Sequence, residues 1–582
     1  MTSQRIILLS VWLMATVAAM AQPVVQPLRP QDYTPVDQAK QPTDRAEPAS
    51  LPDPEIDLPE DTQPLVDNLQ AVVFRADPDA VLPQNAKGEG VDTSALPLLD
   101  NDAFRATIQP HLGRPLTWQV IGEMVKTTIM YYRSQGRPVV DVIVPEQEVT
   151  NGVLQLLVVE GRLGRIEVKG NEYFSDESIR SKVRMEPGDP IRASRLLADV
   201  DYLNTNPFRY VRPVLGPGEE VGQTDLTLQT NDRWPYRIYW GWEDTGSRAT
   251  RLDRYLYGVN MGNVGGKDIE LGYQFATNHR WDEIGVHSAY LRLPLPNRDT
   301  FAMYGSLACY DARHDGVDFR GNSWQISPRY IKTLPTWNSY RHEIQFGFDF
   351  KRTTNDLKFL HFLELYEGTV DTTQFVFEYS GSWRDTAGTT SFTSSSFWQP
   401  GPWSSKGQQS DYIQTRAGTD SDYVYTNLSL ERIWYLPLDF EFVNRFIGQL
   451  AGSRLIATEQ LGLGGYNTVR GYDEREVNTD AGVMVSLELR TPRVKLGRLF
   501  NRPDMANRIQ FLTFWDYGQG HNRGTFAGED QNIELQSVGV GMRYWVGNYL
   551  SFRMDYGHRL DEPDFSTFND QGRFHFGLLV AY

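Results

Sequence analysis

A glycine-rich stretch of the chain, Leu461–Asn478, holds residue types that could anchor a loop inside a larger structure. Its glycines permit backbone conformations with positive φ and a close approach to a neighbouring surface. A single arginine, Arg470, lies between Tyr466 and Tyr472, and four charged residues, 473–476, follow it. A guanidinium in a docked loop needs a carboxylate partner, because an unpaired buried charge is costly. Taken alone, the stretch also fits a solvated surface loop.

Little else in the sequence points to catalysis or to metal binding. The G-x-S-x-G, H-E-x-x-H and Walker patterns are missing, and His279, His287 and His558 lack metal-ligand spacing. The one cysteine, Cys309, excludes an intramolecular disulfide framework and offers no thiolate cluster for zinc. We therefore expect no enzyme activity, no cofactor and no metal site.

The N-terminal region indicates an exported protein. Residues 1–21 predict a signal peptide, with Arg5, an apolar run at Ile6–Ala19 and a small-x-small cleavage site at Ala19–Ala21. Residues 22–63 are proline-rich and acidic, which predicts an extended linker because such a segment buries too little apolar surface to fold. A retained N-terminal anchor stays open as an alternative.

The composition narrows the class of protein. A formal net charge of −17 argues against general nucleic-acid binding. Beyond the predicted signal peptide, no apolar stretch is long enough for a membrane-spanning helix. Aromatic residues make up 12% of the chain and include 29 tyrosines. In an exported chain without helical spans, this content favours a membrane β-barrel, whose interfacial girdles use aromatic residues.

Residues 64–161 predict a small α+β unit. A possible strand at Leu69–Phe74 and an amphipathic helix at Leu116–Ser134 precede a hairpin with strands at Val139–Val144 and Val153–Val159. Asn-Gly before the second of these strands supports the hairpin, although the connection is longer than a tight turn.

Residues 162–232 repeat this kind of unit in a tighter form. The predicted elements are a strand, two helices and two strands: Arg165–Val168, Ser175–Val183, Ala193–Leu203, Val211–Leu215 and Leu226–Gln229. Ser175 has the side chain of a helix N-cap. The stretches KGNEYFSDESIRSKV, EPGDPI and NTNPFRYVRPVL make this unit resemble a POTRA domain, the periplasmic module attached to certain outer-membrane barrels. Two unrelated α+β binding modules are the alternative.

Residues 233–582 replace helical periodicity with two-residue alternation. The alternation is clearest in the last strand, where one face carries an aromatic and apolar row: Phe574, Phe576, Leu578, Val580 and Tyr582. An apolar outer face and a polar inner face are what a closed barrel in lipid requires, because every backbone group must pair within the sheet. The length supplies about 22 residues per strand to a barrel of about 16 strands, and roughly 14 or 18 would also fit. A soluble β-sandwich or propeller is the alternative.

Within this order of units, the glycine-rich loop carries a recognisable motif: Val469, Arg470, Gly471 and Tyr472. It is similar to the VRGY motif on the sixth extracellular loop of BamA-like barrels. The order of signal peptide, linker, two POTRA-like domains and barrel resembles the two-partner secretion transporters (TpsB type), which export haemolysins and filamentous adhesins. The resemblance implies a membrane all-β fold: an antiparallel outer-membrane β-barrel of about 16 strands, preceded by two small α+β POTRA-like domains.

The resemblance also implies a partner for the arginine. The family's second signature, F-x-D-x-G on the inner barrel wall, matches Phe514, Asp516 and Gly518. It implies an ion pair between Arg470 and Asp516, with Phe514 packed nearby and Gly518 leaving room. Whether this pair gates the pore or only braces the barrel stays open.

By the same resemblance, we expect an outer-membrane channel that moves an unfolded secreted protein from the periplasm to the cell surface. The POTRA domains would capture this partner by adding its strand to a sheet edge, with Arg165–Val168 and Leu226–Gln229 as candidate edges. Other expected partners are outer-membrane lipid and the barrel-assembly machinery, which would recognise the terminal strand although it ends in Tyr582 and not in the family's usual phenylalanine.

Three alternatives concern function. An assembly factor that inserts other barrels would carry more POTRA domains, and a solute porin would carry none. An enzyme that uses the barrel as an anchor would need a reactive residue in the lumen. Many relatives also plug the pore with an N-terminal helix, for which the proline-rich segment 22–62 is a poor candidate.

Overall fold

The computed structural model describes residues 59–220, 222–246, 251–314, 317–337, 339–359, 363–499, 507–526, 528–561 and 571–582. The predicted signal peptide and the predicted linker up to residue 58, with the question of a plug helix, lie outside the described residues. The chain divides into two compact units between Trp234 and Pro235. None of the helices in the described residues combines the length and the apolar character that a membrane crossing would require.

The first α+β domain has a four-stranded sheet. Its elements are β1 (Ala71–Arg75), a 3-10 turn (Pro78–Ala80), β2 (Gly90–Asp92), α1 (Asp102–Ile108), a second 3-10 turn (Gln109–His111), α2 (Trp118–Ser134), β3 (Val140–Ile143) and β4 (Val153–Glu160). The strand order is β2-β1-β4-β3. Helix α2 begins where the Thr117 hydroxyl accepts the N–H of Val120 at 3.2 Å. Helix α1, which the sequence pattern did not predict, buries Phe104 against Phe74, with ring centroids 5.3 Å apart.

The second α+β domain has a three-stranded sheet. Its elements are β5 (Arg162–Lys169), α3 (Asp176–Arg180), α4 (Ala193–Leu203), β6 (Arg209–Pro217) and β7 (Gln223–Asp232). Helix α4 has the predicted bounds, whereas the predicted helix at Ser175–Val183 ends earlier, at Arg180. The predicted N-cap is confirmed, since the Ser175 hydroxyl accepts the N–H of Ser178 at 3.2 Å.

The prediction that Leu226–Gln229 forms an open sheet edge is wrong. The strand order is β5-β7-β6, so β7 is the central strand, parallel to β5 and antiparallel to β6. Its buried side chains, Leu226 and Leu228, pack into the domain core. The order of strands depends on long-range pairing, and residue alternation along one strand carries no information about it.

The second compact unit is a closed antiparallel barrel. Its elements are β8 (Tyr236–Glu243), β9 (Arg254–Val264), β10 (Ile269–Thr277), β11 (Ile284–Pro294), β12 (Thr300–His314), β13 (Val317–Thr333), β14 (Arg341–Phe359), β15 (Leu363–Asp385), β16 (Gly388–Pro400), α5 (Gln409–Thr415), β17 (Asp422–Tyr435), a 3-10 turn (Pro437–Asp439), β18 (Glu441–Ala451), β19 (Leu461–Leu463), β20 (Val477–Thr479), β21 (Ala481–Arg490), β22 (Val494–Lys495), α6 (Leu496–Leu499), β23 (Asn507–His521), β24 (Asn532–Val546), β25 (Leu550–Arg559) and β26 (Gly572–Ala581).

Sixteen strands form the barrel wall within the described residues: β8 to β18, β21 and β23 to β26. The two-residue strand β22 continues the pairing along β23, and β19 with β20 forms a separate hairpin. The last strand closes the ring by pairing with the first, from Gly577↔Glu243 to Ala581↔Tyr239. The sequence prediction of a 16-stranded antiparallel barrel is confirmed.

The predicted two-residue alternation agrees with the faces on which the side chains lie in the barrel. In β8, Ile238 is 58% exposed, whereas its neighbour Arg237 is buried inside. In β26, Phe574 is exposed and His575 is buried. An apolar outer face on a closed barrel matches a lipid surrounding, because the sheet satisfies its own backbone groups.

Candidate functional site

The loop between β18 and β21 is the site on which the motif residues lie. The hairpin of β19 and β20, with Leu461 opposite Thr479, holds the tip of the loop, residues 464–476. Gly464, Gly465 and Gly471 adopt φ of 101°, 99° and 95°, a region that side chains rarely allow. These turns let the tip fold back against inward-facing residues of the wall.

An apolar cluster packs the loop against the barrel wall. Leu463, Val469 and Tyr472 are buried together with Met484 of β21 and Leu535 of β24. The two wall residues belong to the inward-facing rows of their strands. The loop therefore lies in the lumen of the barrel and not on its surface, which excludes the solvated-loop alternative.

Arg470 forms an ion pair with Asp516 on β23. Its Nε lies 2.7 Å from Oδ2 and its Nη2 lies 2.8 Å from Oδ1, so the guanidinium binds the carboxylate with two parallel bonds. The backbone N–H of Arg470 donates to the same carboxylate at 3.1 Å. Arg470 is 3% exposed and Asp516 is fully buried. The structure thus brings together the two residues that the sequence motifs implied.

Two further carboxylates contact this arginine. Arg470 Nη1 lies 2.8 Å from Glu488 Oε1 and 3.4 Å from Asp555 Oδ2. Sequence reasoning missed both residues. The two-residue alternation could have placed them inside the barrel, since Glu488 of β21 and Asp555 of β25 occupy inward-facing positions of their strands.

Wall arginines balance part of this negative charge. Arg490 donates to Glu488 at 2.8 Å, and Arg543 donates to Asp555 at 2.9 Å. The Arg470 guanidinium also lies 3.5 Å from the centre of the Phe514 ring, a cation–π contact. The predicted packing of Phe514 is therefore present in the structure.

Glycine at position 518 leaves room for the loop. A Cβ there would lie 2.8 Å from Cγ2 of Val469, which is closer than real Cβ contacts. Gly471 meets a second glycine of the wall, Gly557, whose Cβ would lie 2.5 Å from the Gly471 nitrogen. The loop thus packs closely on the wall at both glycines, and at Gly471 and Gly557 the two backbones are in contact.

The motif also contacts the last strand. The Gly471 N–H donates to Nε2 of His575 at 3.0 Å, and Arg559 Nε donates to the Gly471 carbonyl at 2.7 Å. The Tyr472 hydroxyl donates to the carbonyl of Asp561 at 2.6 Å. These contacts tie the motif to β25 and β26 in addition to β23.

The charge run after the motif lines the lumen. Asp473 pairs with Arg573 of β26, and Glu476 pairs with Arg559 at 3.2 Å. Glu474 accepts the N–H of Tyr466 at 2.7 Å. Asp473 and Glu476 thus have partners on the barrel wall, whereas Glu474 bonds within the loop.

The remaining sequence candidates lie elsewhere. The terminal-strand row faces outward, with Tyr582 79% exposed at the end of the chain. His279 contacts Asp253, at 3.0 Å, and Cys309 is exposed on β12. The described part of the chain contains no cluster of His, Cys, Asp or Glu suited to a metal ion.

Comparisons with known proteins agree with this architecture. The family described as "Haemolysin secretion/activation protein ShlB/FhaC/HecB" matches residues 222–544. A ShlB-type POTRA domain matches residues 89–161, and a POTRA domain described as a surface antigen variable number repeat matches residues 161–231.

Among characterised relatives, the heme/hemopexin transporter protein HuxB of Haemophilus influenzae is 19% identical over 449 residues, which cover 76% of this chain and 77% of HuxB. The outer membrane transporter CdiB-2 of Burkholderia pseudomallei is 24% identical over 458 residues, which cover 73% of each chain.

Two solved structures share the fold. CdiB from Escherichia coli superposes with a TM-score of 0.70 at 16% identity, covering 89% of this chain and 90% of CdiB. CdiB from Acinetobacter baumannii superposes with a TM-score of 0.59 at 15% identity, covering 100% of this chain and 97% of that one. The family match spans more than half of the sequence, and both POTRA domains precede the barrel. The chain belongs to the haemolysin secretion/activation protein family ShlB/FhaC/HecB, and it is an outer-membrane transporter for a secreted partner protein, with its POTRA domains in the periplasm.

Proposed function

We propose that the partner protein crosses the lumen as an unfolded chain and that the docked loop, residues 461–478, gates this path. The observation that carries the proposal is the buried ion pair of Arg470 and Asp516, which fixes the loop inside the pore. A chain passing through the lumen has to move this loop. The competing interpretation, in which the pair only braces the barrel wall, predicts no change of pore opening when the pair is removed.

The two members of the pair contribute unequally to the closed state. Removal of the Arg470 side chain leaves three buried carboxylates near one another, Asp516, Glu488 and Asp555. Removal of the Asp516 carboxylate leaves Arg470 with the other two. Since an uncompensated buried charge is strongly destabilising, Arg470→Ala opens the gate more than Asp516→Ala does.

Single-channel recording in planar bilayers tests the gate. We expect discrete openings in the wild type, a higher open probability in Asp516→Ala and a still higher one in Arg470→Ala. Migration on SDS gels before and after heating controls for a folded barrel. Identical open probabilities in all three proteins, with folded barrels, would support bracing alone.

For capture of the partner, we propose the outer side of β5 in the second POTRA domain. The start of β5 is covered, because the N–H of Leu163 donates to Asp189 and the N–H of Gly188 donates back to Leu163. In the described part of the chain, no strand pairs with the outer side of the remaining segment, Arg165–Lys169. An extended segment of the partner fits there as an added strand.

The opposite edge of this sheet, β6, is less suited to strand addition. Pro213 and Pro217 lie within it and have no N–H to donate. A photo-crosslinking amino acid at Glu167 on β5 should therefore link to the secreted partner, whereas the same group at Arg212 on β6 should not. Equal crosslinking at both positions would contradict capture at β5.

During biogenesis, we propose that the barrel-assembly machinery recognises the terminal strand. The outward row of β26 includes Phe574 and Phe576 and ends at the exposed Tyr582. Deletion of Tyr582 should lower the amount of folded barrel in the outer membrane, and Tyr582→Phe should preserve it. Equal amounts of all three proteins would overturn this proposal.

A further inference from the structure

A second part of the same loop binds the wall through a different ion pair. Residues 452–460, called here the base limb, lead from β18 into the loop. Glu459 of the base limb is 1% exposed. Both of its carboxylate oxygens lie 3.2 Å from Nζ of Lys351 on β14, which is also buried.

Three further hydrogen bonds hold this glutamate in place. The Tyr425 hydroxyl donates to its carboxylate at 2.6 Å, and the Gln374 amide donates at 3.3 Å. The backbone carbonyl of Glu459 accepts a hydrogen bond from Gln449 at 3.0 Å. A carboxylate with this many donors is fixed in position and does not behave as a loose surface charge.

The position of these partners around the barrel is informative. In the ring of sixteen wall strands, β14, β15 and β17 are the seventh, eighth and tenth, whereas β23, β25 and β26 are the thirteenth, fifteenth and sixteenth. Lys351 on β14 and Asp555 on β25 are thus eight strands apart, half of the ring. The side-chain partners of Glu459 thus lie on the seventh to tenth strands, and the carboxylate partners of Arg470 lie on the twelfth to fifteenth. The base limb and the tip therefore hold different parts of the wall.

A buried aspartate links the two limbs of the loop near the base. Asp480, which follows β20, accepts the N–H of Leu455 at 3.0 Å and the Gln460 amide at 3.1 Å. Arg416, beyond helix α5, donates to the same carboxylate at 2.5 Å. Because Asp480 joins the limbs, the anchor at Glu459 also constrains the tip.

We propose that Glu459 is a second positioning residue of the gate, which holds the loop on a part of the wall six strands away from Asp516. This inference rests on the proposed gating function. With both anchors in place, the loop is held at two parts of the wall and blocks the lumen. Release of the tip alone leaves the base limb attached, so full opening requires release of both.

Open probability in planar bilayers tests this inference with three variants: Glu459→Gln, Arg470→Ala and the double variant. Glutamine keeps the shape and the hydrogen-bonding capacity of Glu459 and removes only its charge. We expect Glu459→Gln alone to open less often than Arg470→Ala, because the tip stays anchored, and the double variant to open on the order of tenfold more often than Arg470→Ala alone, since coupled sites act non-additively.

Asp371→Asn provides the matched control. Asp371 is a buried carboxylate of β15 that pairs with Arg352 of the neighbouring strand β14 at 2.6 Å. In the described residues, its side-chain bonds go to this arginine and to Ser404, not to the base limb or the tip. Asp371→Asn combined with Arg470→Ala should open no more than Arg470→Ala alone.

The outcomes separate the two proposals. If the double variant opens no more often than Arg470→Ala, the anchor at Glu459 is overturned and the gate at Arg470 stands. If neither Arg470→Ala nor the double variant differs from the wild type, the gate itself is overturned, and the second anchor with it. An equal increase in the Asp371→Asn combination would show a general loosening of the wall and would also overturn the anchor.

Lys351→Met tests whether the ion pair carries the effect. It leaves Glu459 without its cation, so in the Arg470→Ala background it should open the channel at least as much as Glu459→Gln does. Adding Glu459→Gln to Lys351→Met should then give no further increase, because the pair is already broken. Independent, additive increases would contradict an ion-pair anchor.

Discussion

Two arginine–aspartate pairs in this protein share a geometry and differ in their surroundings. In the lumen, Asp516 accepts the backbone N–H and the guanidinium of Arg470. In the second POTRA domain, Asp225 accepts the backbone N–H of Arg165 at 2.7 Å and its guanidinium at 3.2 Å. The Arg470 side chain is 4% exposed, whereas that of Arg165 is 60% exposed.

This difference shows that burial, and not the hydrogen-bond pattern, decides what such a pair does. Arg165 lies at the surface, where water screens the charges of its pair and hydrates the guanidinium when Asp225 is lost. In the lumen, neither Arg470 nor Asp516 has that alternative. The first pair supports one irregular position of an edge strand, where the register of β5 shifts between Leu163 and Ile166. The second can hold a closed conformation.

The largest effect should come from Arg470→Ala. The substitution leaves Asp516, Glu488 and Asp555 close together without their shared cation, and it should destabilise the docked loop by about 3–5 kcal/mol. A lower temperature of conversion from the folded to the unfolded band on SDS gels would measure this loss. Arg470→Lys should recover only part of it, because an ammonium cannot bind two carboxylate oxygens in the planar manner of a guanidinium. Full recovery by lysine would mean that charge alone matters.

Asp516→Asn should have a smaller effect than Arg470→Ala. Arg470 keeps its contacts to Glu488 and Asp555, and asparagine can still accept one hydrogen bond, so we expect a loss of about 1–3 kcal/mol. The same gel assay gives the comparison. An equal loss in the two variants would show that Glu488 and Asp555 contribute nothing to the lumen pair.

Gly518→Ala should destabilise the docked loop less than the two charge substitutions do, since it adds a methyl group to the site and leaves the charges unchanged. The new methyl group would press on Val469 of the motif and should cost about 1–3 kcal/mol through strain. Gly305→Ala is the matched control, because a Cβ there would meet its nearest neighbour, the Gln325 carbonyl, at 3.7 Å. Similar losses at both positions would argue against a specific contact between Gly518 and the loop.

Much of the fold was accessible from the sequence because it depends on local periodicity. The two-residue alternation that predicted the barrel is a property of each strand, and the bounds of α4 followed from an amphipathic pattern. Helix α1 was missed because it is only seven residues long and buries only Phe104 and Ile108. The edge assigned to Leu226–Gln229 failed because strand order is set by contacts between distant parts of the chain.

The residues of the candidate site also divide into those that a local sequence pattern reveals and those that only long-range contacts bring together. Arg470 and Asp516 belong to short motifs that the sequence displays directly. No local motif marks Glu488, Asp555 or Glu459. Only closure of the barrel brings these residues to their partners. Asp555, for example, lies 85 residues after Arg470 and contacts it inside the lumen. An inward position predicts that such a residue faces the lumen, but not which partner it finds there.

The smallest effect should come from Asp225→Asn in the POTRA domain. The backbone N–H of Arg165, together with its guanidinium, holds the pKa of Asp225 below its ordinary value. A carboxyl whose pKa is lower in the folded state adds stability at neutral pH, and this contribution disappears as the pH falls below about 4. The protection of the Arg165 amide against hydrogen exchange, corrected for its intrinsic rate, should therefore be higher in the wild type than in Asp225→Asn at pH 7.

The same measurement at low pH and at high salt completes the comparison of the two pairs. At pH values below the folded pKa of Asp225, the wild type and Asp225→Asn should show equal protection, since the wild-type carboxyl is then neutral. High salt should also reduce the difference, because the Debye length falls from about 10 Å at 0.1 M to about 3 Å at 1 M. By contrast, loss of the buried Arg470–Asp516 pair should lower the conversion temperature on SDS gels equally at both ionic strengths. A salt-sensitive lumen pair would mean that water reaches Arg470, and the energetic distinction between the two pairs would then fail.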